Sequence, residues 1–556
     1  MSANPGTVGV ATPDPPDADA LLADGRLALD AAHRLLGALR AGATDTSLPA
    51  PQFREHGFAW AAAYLATLEA TLGWASALAA ADRLGLLERR IASAGFAEYL
   101  AQLGHGIAMS QDEIVRPGHL GASAAAAAFL ADGAVARFVD TCSLRAQSHA
   151  IVAAVDADGG FGDAGLDETH AEIEKQFRRF ADEVVAPAAP GWHANNALIP
   201  DAVVAQMSEL GVFGLTVPEA WGGLGLGKVA MCVVTEALSR GYIGVGSLGT
   251  RSEIACELIL HGGTDAQRAH WLPKIASGEV LPTAVFTEPN TGSDLASLST
   301  RGSRRIGADG REVFSITGSK TWITHAARSD LMTLLVRTLP DEPRHRGISM
   351  LLAPKPRGSD ADPFPAAGMR GGEIAVLGYR GMREYEIGFD GFEVDADAVL
   401  GGVEGQGFRQ LMQTFESARI QTAARALGVA QNALELGLAY ARERRQFGRA
   451  IVGFDRIAGK IAQGVVETMM IRQLVLAAAR RKDEGRRCDV EAGMAKLLAA
   501  RLAWSVADNA LQIHGGNGYA LEYPISRVLC DARILNIFEG AAEIQAGIVA
   551  KGLIGS

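Results

Sequence analysis

From about residue 19 to 154, apolar positions recur at helical spacing, as in Phe58, Ala62, Leu65, Leu68 and Leu72, in a stretch rich in Ala and Leu. Steps of three and four residues put these side chains on one face, so the pattern predicts several packed helices. Asp156-Ala-Asp-Gly-Gly-Phe-Gly-Asp163 interrupts it with turn-forming residues and is the strongest boundary in this half. A second helical region is expected over about 167–281, with one helix at 172–185 stopped by Pro187 and Pro190 and another opened by Pro200-Asp201. From 283 to 400 the period changes. Residues 312–317, 331–336, 348–353 and 386–389 are short β-branched or apolar runs between Gly, Pro and Asp, the pattern of strands. Long helical patterns return over 407–553, broken at His514-Gly-Gly-Asn-Gly518. The order α, α, β, α predicts an α+β chain with segregated layers. It divides into a helical N-terminal extension (1–165), a helical domain (166–282), a β-domain (283–400) and a C-terminal helical domain (401–556). Residues 1–18, rich in Pro, Asp and Gly, read as a disordered lead.

Composition removes several classes of function. The 556 residues are 48% hydrophobic and 21% charged, which fits a folded globular chain. With 52 Lys+Arg against 63 Asp+Glu the net charge is −11, and a basic nucleic-acid footprint is absent. The best local candidates for one, Arg480-Arg-Lys482 and Arg486-Arg487, are interrupted by Asp483-Glu484. Five scattered cysteines without CxxC spacing argue against a disulfide framework and a metal site, and suit a reducing compartment. The first twenty residues lack the basic and apolar stretches of a secretory signal, and the apolar windows 64–87 and 120–135 are broken by Glu69, Asp82 or Asp132. The expectation is a cytoplasmic protein that neither crosses a membrane nor binds nucleic acid.

One glycine-rich segment is set aside. Gly222-Gly-Leu-Gly-Leu-Gly-Lys228 has phosphate-loop spacing, but Val229 stands where a hydroxyl is needed and no apolar strand precedes it. A tight turn before a helix is the better reading. Four other segments carry candidate chemistry. Thr287-Glu-Pro-Asn-Thr-Gly-Ser-Asp294 joins small residues, which let a ligand approach the backbone, to hydroxyls and carboxylates. By itself it could be an ordinary hydroxyl-rich turn. Trp322-Ile-Thr324 sets an aromatic and a hydroxyl two apart, hence on one face of a strand. Arg444-Arg-Gln-Phe-Gly448 ends a long helix and, taken alone, would be a solvated charged face. Phe538-Glu-Gly540 follows the apolar run Ile534-Leu-Asn-Ile537, and a Glu in such surroundings is a candidate base whose pKa burial raises towards neutrality.

Together and in this order, Phe286-Thr-Glu-Pro-Asn-Thr-Gly-Ser-Asp294, Trp322-Ile-Thr324, Arg444-Arg-Gln-Phe-Gly448, Gln512-Ile-His-Gly-Gly-Asn-Gly518 and Phe538-Glu-Gly540 resemble the acyl-CoA dehydrogenase family of flavoproteins, over about residues 167–553. The resemblance implies a helical domain, a middle β-barrel-like domain and a C-terminal four-helix bundle, with FAD between the last two. Thr287 and Thr324 would hydrogen-bond the flavin, Trp322 would pack beside its ring and Ser293 would lie near its pyrophosphate and the bound thioester chain. Phe286, Gly292, Ile323, Ala541 and Glu543 complete this cofactor set. Arg444, Phe447, Gln512, Gly515 and Gly516 would reach the FAD of a neighbouring subunit, which implies a homodimer or homotetramer. Glu416 and Arg419 would contact the CoA portion, and Gly540 the substrate. The chain departs from the family pattern at His325 (usually Asn), Ala541 (commonly Thr), Asp455 (often Gln) and Glu384, where a small or hydroxyl residue is usual.

The implied reaction removes hydrogen across Cα–Cβ of an acyl-CoA, a carboxylate taking the α-proton and the β-hydrogen leaving as hydride, with an electron-transfer flavoprotein as acceptor. Some relatives carry the base just before the arginine matched by Arg419, but Ala418 stands there and Glu416 faces about 200° away from it. Glu539 is therefore the expected base. The N-terminal extension, His325 and the 286–294 loop narrow the resemblance to a member acting on a short branched acyl group with a free carboxylate. Arg251, in Gly249-Thr-Arg-Ser-Glu253, would meet that carboxylate; the ordinary alternative pairs it with Glu253 or Glu257. The competing functions are a general short- or branched-chain dehydrogenase, an oxidase of the same fold that passes electrons to O₂, and a DNA-associated flavoprotein relative.

Overall fold

The computed structural model describes residues 14–555, so most of the expected disordered lead lies outside the described residues. Among the described residues six α-helices build the N-terminal extension: α1 (Ala18–Thr44), α2 (Pro51–Ala80), α3 (Leu86–His105), α4 (Ser123–Leu130), α5 (Gly133–Thr141) and α6 (Leu144–Asp158). A two-residue ladder of β1 (Ile107–Ala108) and β2 (Ile114–Val115) links α3 to α4. Asp17 caps α1 by accepting from the Ala20 amide at 2.8 Å, which is why the helix begins where the Pro/Asp lead stops. The glycine-rich boundary after α6 is tied down. The Asp163 amide donates to Glu88 at 2.8 Å, and its carbonyl accepts from Trp74 Nε1 at 2.9 Å.

The next layer holds α7 (Glu168–Phe180), continued by a π turn through Val185, then α8 (Ala189–Ala194), α9 (Asp201–Glu209), α10 (Lys228–Gly241), α11 (Ile243–Gly262) and α12 (Asp265–Ala276). The phosphate-loop-like segment is a turn: Gly222 and Gly225 adopt φ +80 and +62, and α10 begins at Lys228. Seven strands follow: β3 (Pro282–Val285), β4 (Arg301–Ile306), β5 (Glu312–Thr324), β6 (Leu331–Arg337), β7 (Ile348–Pro354), β8 (Met369–Ile374) and β9 (Glu384–Asp395). They form one curled sheet in the order β3-β6-β4-β5-β9-β8, with β7 on β6. The antiparallel β5–β9 register sets Thr324 opposite Glu384.

That register slips between Lys320 and Ile323, and Trp322 takes φ +59. The two-residue alternation therefore does not run through the motif. Trp322 is 56% exposed while Thr324 is buried, so the expected shared face is not found. The C-terminal bundle comprises α13 (Gly407–Glu443), a hairpin of β10 (Arg445–Gln446) and β11 (Arg449–Ala450), α14 (Asp455–Asp483), α15 (Asp489–His514), α16 (Pro524–Ile534) and α17 (Ala542–Ile554). Helix α14 is long and apolar enough by length and composition to cross a membrane, which the sequence windows overlooked. It is buried instead, and its apolar residues share one core with α2, α3 and α6 of the extension and with α13 and α15. Arg501 of α15 fastens that contact, reaching Tyr64 Oη at 2.6 Å and Glu467 of α14 at 3.2 Å.

Candidate active site

Glu539 lies in the turn between α16 and α17 with φ +52, followed by Gly540 at φ +89. At that φ any side chain would be strained, and a Cβ at Gly540 would also displace the Gln545 amide, which would stand 2.0 Å away. Two donors hold the turn from behind. Lys496 of α15, fully buried, donates to the Gly540 carbonyl at 2.6 Å, and Gln545 of α17 to the Glu539 carbonyl at 3.2 Å. The carboxylate meets α11 and α13. Arg251 Nη2 donates to Oε1 at 2.9 Å, Arg425 Nη2 donates to Oε2 at 2.6 Å, and the Thr422 hydroxyl donates to Oε2 as well. Arg425 is itself fully buried, bonded to Ser247 at 3.0 Å and Tyr379 at 3.2 Å, with the Phe538 ring 4.9 Å away.

This clamp reverses one expectation. Burial raises the Glu539 pKa as anticipated, but Arg425, then Arg251 and Thr422, outweigh it and hold the group at about 2. The ordinary pairing suggested for Arg251 is also absent. Glu253 and Glu257 both bind Lys228 Nζ, so Arg251 is left to Glu539.

A second carboxyl shares this environment. Glu384 is 6% exposed and accepts from Thr324 Oγ1 at 2.9 Å through Oε2, while Oε1 has no partner. Burial lifts its pKa to about 8, with Thr324 and Arg251 opposing and Glu539 adding to the rise. At neutral pH it is a carboxylic acid. His325, buried with both ring nitrogens unpartnered, is pushed down to about 4 by burial and by the charges of Arg357, Lys355 and Arg251, and is neutral.

The remaining sequence candidates fall into three groups. The 286–294 loop is pinned to β5 beside the Trp322 motif. Lys320 Nζ donates to the Phe286 carbonyl at 2.9 Å and to Glu288 at 3.0 Å, and the Thr321 amide donates to the Thr287 carbonyl at 3.0 Å. Gly292 and Ser293 are exposed, and Ile323 is buried under the strand. Arg444 and Phe447 form a second group with Gln512, Gly515 and Gly516. Tyr440 stacks on His514 at 4.2 Å and accepts from Asn517 at 3.0 Å, joining the two helix ends. Nineteen residues of α13 separate Arg444 from Arg425, roughly 28 Å at helical rise, so one chain does not bring this group to Glu539. The third group is Glu416 and Arg419. Glu416 is paired with Lys482 at 2.8 Å, and Arg419 lies 5.4 Å from the Phe415 ring. Ala541 and Glu543 open α17 just past the base, half-buried and exposed respectively. In the basic segment weighed against nucleic-acid binding, Arg481, Lys482, Arg486 and Arg487 are each paired with a carboxylate.

Sequence reasoning missed Arg425 and Thr422. The available signal was an arginine inside the run Thr422-Ala-Ala-Arg-Ala-Leu-Gly-Val-Ala430, which is otherwise small and apolar.

Comparison with known proteins accounts for this arrangement. The chain matches the acyl-CoA dehydrogenase N-terminal domain over residues 167–279, the middle domain over 283–392 and the C-terminal domain over 405–554. It is 60% identical over 514 residues to (2S)-methylsuccinyl-CoA dehydrogenase of Cereibacter sphaeroides, covering 92% of each chain. It is 35% identical over 384 residues to an acyl-CoA dehydrogenase of Bacillus subtilis (strain 168), covering 69% of this chain and 97% of the relative. Among solved structures, butyryl-CoA dehydrogenase from Megasphaera elsdenii superposes with a TM-score of 0.64 at 29% identity, over 70% of this chain and 98% of that one. The family models begin at residue 167, so α1–α6 lie outside them.

Proposed function

The chain belongs to the acyl-CoA dehydrogenase family, and from that premise we propose that it oxidises (2S)-methylsuccinyl-CoA to mesaconyl-CoA, as in the ethylmalonyl-CoA pathway. The relative at 60% identity carries that substrate in its name. The observation that carries the reading in the structure is a buried excess of positive charge at the base. Arg251 and Arg425 face the single carboxylate of Glu539, while Glu384 is neutral. A buried surplus cation is costly unless a ligand completes the pair, and the free carboxylate on the substrate's β-carbon would do so.

Members of this family use FAD, and the residues present fit it. Trp322 leaves a flat ring exposed two residues before Thr324, and apart from its chain neighbours no atom lies within 4 Å of where a Gly292 Cβ would be. Phe286, Thr287, Gly292, Ser293, Trp322, Ile323 and Thr324 would hold the cofactor from the chain that carries the base, with Ala541 and Glu543 close by. Arg444, Phe447, Gln512, Gly515 and Gly516 would serve the cofactor of a second copy, since their own chain sets them far from Glu539. Phe447, 93% exposed, would then be covered in a homodimer or homotetramer. Glu416, already paired with Lys482, and Arg419 would line the CoA path.

In the free protein Glu539 is a weak base because two cations hold its charge. When the substrate carboxylate takes Arg251, Glu539 keeps Arg425 but loses one cation, and its pKa rises towards the ordinary value of ~4.3 for a carboxyl. Glu539 then removes the Cα proton, with its turn held by Lys496 and Gln545. Bound FAD supplies the two-electron acceptor for the β-hydrogen. Substrate charge thus frees the base as well as fixing the acyl group. An electron-transfer flavoprotein would accept the electrons, in the cytoplasm. The test is anaerobic flavin bleaching. Methylsuccinyl-CoA should bleach the enzyme at least ~10²-fold faster than uncharged 2-methylbutyryl-CoA, because a site built for a polar group rejects the analogue lacking it. Equal rates would replace this substrate with short branched acyl groups in general.

A further inference from the structure

Glu384 is a buried carboxyl at the start of β9, in register with Thr324, and the reaction just derived does not use it. We propose that Glu384 is a specificity-determining residue: its buried, unpartnered Oε1 shares a hydrogen bond with the free carboxylate of the acyl group, beside Arg251. The inference rests on the substrate reading above.

The geometry leaves little else for the side chain to do. β5 and β9 fix it in register with Thr324, whose hydroxyl donates to Oε2 at 2.9 Å. That bond leaves the acid proton to Oε1, which is buried and bonded to nothing in the chain. A buried donor without an acceptor is costly and is found where a ligand supplies the acceptor. Arg251 is in the same condition: its Nη2 holds Glu539, but its buried Nε has no partner. Glu384 lies close enough to Arg251 for each to influence the other's ionisation, and two idle donors so placed suit the two oxygens of one carboxylate.

The groups around Glu384 explain why it stays protonated. From β5 it meets Thr324 and, next in sequence, the neutral His325. From β8, Glu373 turns to Arg383 and pairs with it at 3.3 Å. Arg251 of α11 favours ionisation, Glu539 opposes it, and burial outweighs both to leave the group at about 8. Lys496, behind the Glu539 turn, titrates at about 7, also through burial, so it changes charge in a neighbouring range. An ionised Glu384 would repel a substrate carboxylate. A Thr or Ser at this position could donate a hydrogen bond but would not ionise in this range, so it would carry no such pH dependence.

The experiment uses the flavin-loaded enzyme and product binding, which needs no turnover. Dissociation constants for mesaconyl-CoA and for uncharged tiglyl-CoA are measured by calorimetry from pH 7 to 9.5 in the parent, Glu384→Gln and Glu384→Ala. In the parent, the ratio of the mesaconyl-CoA constant to the tiglyl-CoA constant should rise, by up to about tenfold per pH unit once Glu384 ionises. Glu384→Gln keeps a donor and cannot ionise, so that rise should vanish; any slope that Lys496 contributes survives in the variant and is read directly. Glu384→Ala should weaken mesaconyl-CoA binding roughly tenfold to a hundredfold at pH 7, as for one hydrogen bond to a charged group, and spare tiglyl-CoA. The same pH rise in parent and Glu384→Gln, or equal weakening of both ligands in Glu384→Ala, overturns the assignment of Glu384 alone. A parent that does not prefer mesaconyl-CoA at pH 7 overturns the substrate reading and takes this inference with it.

Discussion

Two buried ionic clusters flank the same helix, α11, and they are built on opposite principles. In one, Lys228 Nζ meets Glu253 and Glu257, with Thr216 donating to Glu253 at 2.5 Å and Ser417 to Glu257 at 3.0 Å. Burial alone would lower the Lys228 pKa, but the two carboxylates outweigh it and raise it, while Lys228 holds Glu257 low. In the other, Arg251 and Arg425 share the one carboxylate of Glu539, and the Nε atoms of both arginines are buried without a partner. The first cluster answers its cation with two carboxylates from its own chain, and the oxygen left over, Glu257 Oε2, faces His261 at 3.7 Å. The second holds more cation than its own chain neutralises, and unused donors besides. A structural ion cluster needs no ligand; a cluster left short of acceptors is where one is expected.

Removing the base should give the largest contrast. Glu539→Gln keeps shape and flavin but cannot accept the Cα proton, and turnover should fall roughly 10²–10⁴-fold on any acyl-CoA. Stopped-flow bleaching with saturating methylsuccinyl-CoA reads this directly, and loss within tenfold would move the base elsewhere. Arg251→Met comes next and should impair one substrate only. Truncating one partner of a buried charge pair costs about 3–5 kcal/mol, so kcat/KM for methylsuccinyl-CoA should drop by roughly two to four powers of ten. Activity with 2-methylbutyryl-CoA should be spared or improved, because the variant also frees Glu539 from one cation. Equal losses on both substrates would make the second cluster as structural as the first.

Much of the fold was legible because its signals are local. The helical period of the extension and of α13–α15, and the short runs that became β5, β6, β7 and β9, each speak within one element. What the sequence hid was set by contacts across the fold. Trp322 and Thr324 were expected to share a face, but the slip at Lys320–Ile323 breaks the alternation that argument assumes. The direction of the Glu539 shift depends on Arg425, 114 positions earlier, and Arg251, 288 positions earlier. The pairing of Arg251 with Glu253 or Glu257 could have been set aside from spacing alone. Two and six residues along a helix correspond to about 200° and 240° of rotation, whereas neighbours lie three or four apart. The same rotation gives α11 its two unlike faces.

The smallest effect on turnover belongs to the first cluster, and it sharpens the comparison most. Lys228→Met removes the cation from two buried carboxylates and leaves their charges unanswered. The expected result is a loss of about 3–5 kcal/mol in stability, read as a lower denaturant midpoint at neutral pH. Lys228 bonds to Glu253, Glu257 and Asp483 and not to the Glu539 turn or the 286–294 loop, so the folded fraction should keep its bleaching rate and its preference between the two substrates. Adding Glu253→Gln and Glu257→Gln to the same chain removes the charges that were stranded. Much of the lost stability should return, because a buried ionic cluster replaced as a whole by neutral groups is often nearly neutral in energy. The corresponding neutralisation around Glu539 could not restore function, since there the excess charge is what the substrate completes. If Lys228→Met instead shifted substrate preference, the two faces of α11 would be coupled, and the division between a structural and a working cluster would fail.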